Sequence, residues 1–112
     1  MKLSNEQQDV LQLLAWLHLQ CARPERARVL LEVLLRAVPQ HRVGCRAAVV
    51  AALELGDWAS AERQCLALRE AGELRPSLWL CLSQAQQMAG RLEQAQATYA
   101  EYLRREARRW IS

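Results

Sequence analysis

Residues 56–61 read GDWASA and residues 90–95 read GRLEQA: glycine, polar, large apolar, two variable positions, alanine, repeated after 34 residues. One step further back, residues 22–27 read ARPERA, so Ala27, Ala61 and Ala95 recur at a single period. That register divides most of the 112 residues into three blocks, 8–41, 42–75 and 76–109. A 34-residue period in helix-type sequence is that of the tetratricopeptide repeat, a helix–turn–helix unit. The period has a packing cause. A small residue lets the two helices of a pair approach closely, large residues fill the neighbouring groove, and glycine at the turn takes up positive φ without strain. The expected fold is all-α: one domain over residues 1–112, with three tandem helix pairs forming a short superhelical solenoid.

The third block carries the pattern most fully. Trp79 and Leu82 stand where the first helix wants an aromatic and a leucine, Gly90 at the turn, Ala95 at the small position and Tyr99 at the next aromatic. In the first block Leu11, Leu14, Ala15, Ala27 and Pro39 fit, and Ala22 replaces the turn glycine. In the second, Gly56, Asp57, Trp58 and Ala61 fit, while Cys45, Ala48 and Val49 depart. Local signals predict six helices. Ser4 with Gln7 has capping-box spacing and opens the first, which reaches about Cys21. Pro24 suits a first turn and Pro39 ends the second helix. The remaining helices are expected over 41–55, from the N-cap Asp57 to about 71, over 76–89, and over 92–109.

At 52% hydrophobic and 24% charged the chain has globular composition, and a net charge of +3 demands no polyanionic partner. The start, MKLSNEQQD, is polar and acidic rather than a signal peptide, and the longest apolar run, 47–53, is far shorter than a membrane span. A soluble cytoplasmic protein is expected. Cys21, Cys45, Cys65 and Cys81 form no CxxC pair and sit among apolar neighbours, which predicts small buried thiols in a reducing compartment and no metal site.

In stacked pairs of this type the first helices line the concave side. The lining positions would be Leu13, Trp16, Leu19 and Gln20, with Gln12, on the first helix. On the third they would be Val43, Arg46, Ala47, Val50 and Leu53, and on the fifth Leu80, Gln84, Gln87 and Met88. Most are apolar. Between Val10 and Leu19 only Gln12 and His18 are polar; Leu11, Leu14 and Ala15 suffice to pack on the partner helix, which leaves Leu13, Trp16 and Leu19 to be covered by something else. With only residues 110–112 after the third block, no polar capping helix is expected, and an apolar groove with an uncapped end suits an amphipathic segment of another chain. Trp16 is read as touching a partner, with internal core as the alternative; Val50 and Met88 suit a groove or a core equally; Trp79 and Tyr99 are accounted for by repeat packing.

No catalytic constellation is present: His18 and His41 have no Cys or Ser at a motif spacing, and there is no GxGxxG, P-loop or HExxH. No enzyme activity, catalytic residue, cofactor or small-molecule substrate is expected. The run RREARR, residues 104–109, suits a helix C-terminus, where cations complement the dipole, and lacks the aromatic interleaving of a nucleic-acid groove.

The stretches LLAWLHLQCARPERARVLLEVLL (residues 13–35) and LWLCLSQAQQMAGRLEQAQATYAEYL (residues 78–103) resemble the YscY family, small cytosolic chaperones of bacterial type III secretion. The order WLHLQC, ERA, WLCLSQAQQ is more specific than the repeat pattern, and the likeness covers about residues 7–104. It implies a chaperone that binds and stabilises a small secreted protein of the YscX type as a heterodimer, the pair engaging the inner-membrane export gate, with no ATP hydrolysis and no nucleic acid. On this reading the client buries apolar helix surface in the groove, with Trp16 and Val50 as anchors and Gln84 and Gln87 fixing register. Open alternatives are a chaperone of needle subunits or translocators, a helical-repeat RNA binder using Arg104–Arg109, and a homodimeric scaffold.

Overall fold

The computed structural model describes residues 2–111, and among them every regular element is a helix. In order they are α1 (Asn5–Gln20), α2 (Pro24–Ala37), α3 (Arg42–Leu55), α4 (Trp58–Glu70), α5 (Ser77–Met88) and α6 (Leu92–Ile111). Two helices fall in each of the three blocks of the period. Ser4 caps α1 with a full capping box: its Oγ accepts from Gln7 N at 3.1 Å, and Gln7 Oε1 accepts from Ser4 N at 2.9 Å. His41 lies just outside α3 as its N-cap, with Nδ1 accepting from Gly44 N at 3.0 Å. The 20 residues of α6 run about 30 Å, slightly past the predicted end.

The turns inside the pairs are copies of one another at the 34-residue period. Ala22, Gly56 and Gly90 take φ of 57°, 73° and 86°. The next amide in each case, Arg23, Asp57 and Arg91, donates back to the carbonyl of His18, Ala52 and Gln86 respectively, at 2.8–3.0 Å. This is a helix end closed by a left-handed residue, which satisfies carbonyls the helix leaves unpaired. Ala22 adopts the conformation without being glycine, so the first turn carries a steric cost the other two escape.

The chain divides into two compact units, one ending at Asp57 and the other starting at Trp58, between the two helices of the second block. In the first unit α2 packs against α1 and α3, and α1 also touches α3. Ala15 and Leu19 of α1 meet Ala27, Leu31 and Leu34 of α2, with Ala47 and Ala51 of α3 closing the cluster. The approach of α2 to α3 is close at Gly44, where a Cβ would lie 3.0 Å from Leu34 Cδ2 and 3.2 Å from Leu35 Cδ2.

In the second unit α5 packs against α4 and α6. Its core uses Ala61, Cys65 and Leu68 of α4, Trp79 and Leu82 of α5, and Ala95 of α6. Trp79 is only 6% exposed, and the Arg105 guanidinium lies over its ring at 3.6 Å from the centroid. Buried polar groups are paired: Ser83 Oγ donates to the Ala95 carbonyl at 3.0 Å, and Thr98 Oγ1 donates to Gln86 Oε1 at 2.7 Å.

One ion pair also recurs at the period, with its signs exchanged. Arg28 on α2 pairs with Asp57, in the turn after α3, at 2.6 Å. One period on, Glu62 on α4 pairs with Arg91, in the turn after α5, at 2.5 Å. In each unit the second helix of one repeat is thereby tied to the turn of the next.

Candidate functional site

Apolar surface is exposed on four helices, α1, α2, α5 and α6, with Val29 and Val33 the exposed pair on α2. On α1 the spacing of Val10, Leu13, Leu14 and Leu17 makes one stripe, and all four are exposed, Leu13 to 59%. The stripe lies opposite the face that carries Ala15 and Leu19, so α1 is apolar on two opposite sides and packed on one. Leu14 was expected to pack on the partner helix. It does not, because the packed face centres on Ala15 and Leu19, with Leu11 and Trp16 at its edges.

The positions expected to line a concave face are distributed unevenly. Leu13 and Gln20 are exposed, Trp16 is half-buried against the core, and Leu19 belongs to the core itself. On α3, Ala47 is fully buried, whereas Val43, Arg46, Val50 and Leu53 are half-buried. On α5, Leu80, Gln84, Gln87 and Met88 are all exposed on one face.

The second unit also holds a shallow, mostly apolar groove of about 410 Å³ between α5 and α6. Ser83 and Gln87 line it from α5. Leu92, Tyr99 and Leu103 line it from α6, with Ala95, Gln96 and Ala100 between them. Only Gln87 belongs to the set predicted from sequence. Tyr99, expected to be consumed by repeat packing, is 45% exposed, because no helix of this unit covers that side of α6. Leu92, Tyr99 and Leu103 recur at helical spacing, which marks a stripe on α6, but spacing alone does not say that the stripe faces outward.

The basic run is engaged within its own unit. Glu101 accepts from Arg104 Nε and Arg105 Nε at 2.9 and 2.8 Å, and Arg109 lies 3.5 Å from Glu106. The Arg104 hydrogen bond, joined by that of Arg105, holds the Glu101 carboxyl below its usual range. Arg105 also covers Trp79.

Of the cysteines, Cys45 and Cys65 are buried, Cys81 is half-buried and Cys21 is exposed, contrary to the expectation of four buried thiols. Cys21 terminates α1 on the side of its exposed stripe, which the core does not reach. Burial raises the thiols of Cys45 and Cys81 and pushes Cys65 up to about 12. Among the described residues no three His, Cys, Asp or Glu side chains gather as metal ligands, and no helix is long and apolar enough to cross a membrane. The chemistry this surface offers is apolar and hydrogen-bonding contact with another polypeptide.

No family model matches the chain. It is 42% identical over 101 residues to the chaperone protein YscY of Yersinia enterocolitica, and equally to that of Yersinia pestis. The matched region spans 90% of this chain and 89% of each relative.

Proposed function

This chain belongs to the family of the Yersinia chaperone protein YscY, and we propose on that footing that it is a cytoplasmic type III secretion chaperone holding a small secreted protein of the YscX type. The observation that carries the reading is the second apolar face of α1. Four large side chains, Val10, Leu13, Leu14 and Leu17, are exposed on the side away from the core. A monomer gains nothing by displaying them; a chain whose working state is a complex does. Covering them contributes about 1.5–3 kcal/mol each, enough to offset the cost of association.

The client's apolar helical surface covers the α1 stripe in the first unit, flanked by the half-buried Trp16 and Val50. In the second unit it covers the α5 face of Leu80 and Met88, where Gln84 and Gln87 hydrogen-bond its backbone or polar side chains. Leu19 and Ala47 act from behind, as the core that supports this surface. The pair then engages the inner-membrane export gate, and the chaperone performs no chemistry of its own.

Co-expression with a YscX-type protein tests this. A soluble 1:1 complex is expected, lost on Leu13→Asp or Met88→Asp while helix content stays unchanged; both residues are more than half exposed, so neither variant disturbs the core. A complex indifferent to both substitutions refutes the assignment of these faces.

A further inference from the structure

The 34-residue period relates the two exposed apolar surfaces to a contact already made inside the first unit. There α3 lies on the α1–α2 pair and helps bury Ala15, Leu19, Ala27 and Leu31. Two periods on, these positions are Ser83, Gln87, Ala95 and Tyr99, which line the open groove between α5 and α6. The groove is therefore the seat α3 occupies on α1–α2, presented empty by α5–α6. The helix that fits it can also be found by the period. The face with which α3 meets the preceding pair is Gly44, Ala47, Ala48 and Ala51. One period back those positions are Val10, Leu13, Leu14 and Leu17, the exposed stripe of α1.

We propose that the α1 stripe of one copy seats in the α5–α6 groove of a second copy, head to tail, as α3 seats on α1–α2. Larger side chains on the entering helix suit a seat that stands open at about 410 Å³. Gly44 meets Leu34 and Leu35, so Val10 meets Tyr102 and Leu103 of the second copy, with α1 antiparallel to α6. This places Glu6, one turn before Val10, beside residues 106–109 of α6, where Arg109 is 62% exposed and has Glu106 as its partner at 3.5 Å. The recurring ion pair supplies a third correspondence. Arg28–Asp57 and Glu62–Arg91 continue to Gln96, on the groove, and Arg23, in the turn after α1. Arg23 of one copy thus donates to the Gln96 amide oxygen of the other. The contact joins two different surfaces, so in a head-to-tail chain each copy that gives its stripe still presents its own groove to a further copy.

Sedimentation velocity on the full chain alone, over a concentration series, tests the proposal without a client, so its failure leaves the chaperone reading standing. The mean mass is expected to climb past the dimer without a plateau. Leu13→Glu spoils the entering helix and Leu103→Glu the groove; each variant alone is expected to stay monomeric. Their equimolar mixture is expected to stop at a dimer, through the one intact groove and the one intact stripe. Gln96→Glu recreates the ion pair seen one period earlier and is expected to lower the concentration needed for association about two- to five-fold, a gain lost with Arg23→Asp. A monomer at every concentration, a dimer with a mass plateau, a mixture that stays monomeric, or a Gln96→Glu variant indistinguishable from the parent each overturns it.

Discussion

Replacing Ala22 by glycine should stabilise the first unit. Ala22 is held at φ 57° in a turn that Gly56 and Gly90 make at the same place in the other pairs. A residue with a Cβ loses roughly 1–2 kcal/mol in this conformation. Glycine escapes that cost but loses about 0.5–1 kcal/mol more backbone freedom on folding. The difference is a net gain of about 0.5–1 kcal/mol. Gly90→Ala is the mirror experiment: a Cβ there meets nothing within 4 Å, so any loss is purely conformational. It should cost a similar amount. Urea denaturation followed by far-ultraviolet circular dichroism resolves differences of this size, and variants that keep only Trp16 or only Trp79 of the four tryptophans report the two units separately. A destabilised Ala22→Gly, or a Gly90→Ala that costs nothing, would show that the turns are not the equivalent structures their hydrogen bonds indicate.

The recurring ion pair predicts that Arg28→Asp and Asp57→Arg each destabilise modestly, by about 0.5 kcal/mol, and that the double exchange recovers most of the loss, since Glu62–Arg91 already holds the exchanged polarity; a double-mutant cycle in denaturant measures the coupling. A thiol reagent at pH 8 should label Cys21 quickly and the other three cysteines only after denaturant is added, counted by intact mass. The Cys65 thiol rises from the ordinary value of 9.0 to about 12 on folding, so its favourable contribution is complete below pH 9 and is lost as pH rises toward 12, where the unfolded chain ionises first. Alkaline titration of stability should therefore fall less steeply in Cys65→Ala than in the parent, whatever the offset from the lost side-chain volume.

The period in the sequence led directly to the elements, because helix boundaries follow from local chemistry: Ser4 with Gln7, Pro24, Gly56 and Gly90 each act within one turn of their own position. The faces were harder to read. Leu19 and Ala47 look like groove positions by repeat geometry, yet they are core, because α1 turns its Ala15–Leu19 side inward and α3 closes over it. Tyr99 has the residue type of a packing position, but exposure depends on what lies beside α6, which no local pattern records. The ion pair is hidden in the sequence for a different reason. Its charges reverse between periods, so a search for like residues in like places passes over Arg28–Asp57 and Glu62–Arg91.

Side-chain footprinting by carbene labelling, on the chain alone at a concentration too low for association and on its complex with a YscX-type protein, tests the chaperone account most directly. The free protein should label strongly at Leu13, Leu17, Leu80 and Met88, and these positions should be protected together in the complex while Leu31 and Leu82, already buried, stay unlabelled in both. A stable complex in which those four remain as reactive as in the free chain would contradict it, because the client would then be held somewhere other than the exposed apolar faces.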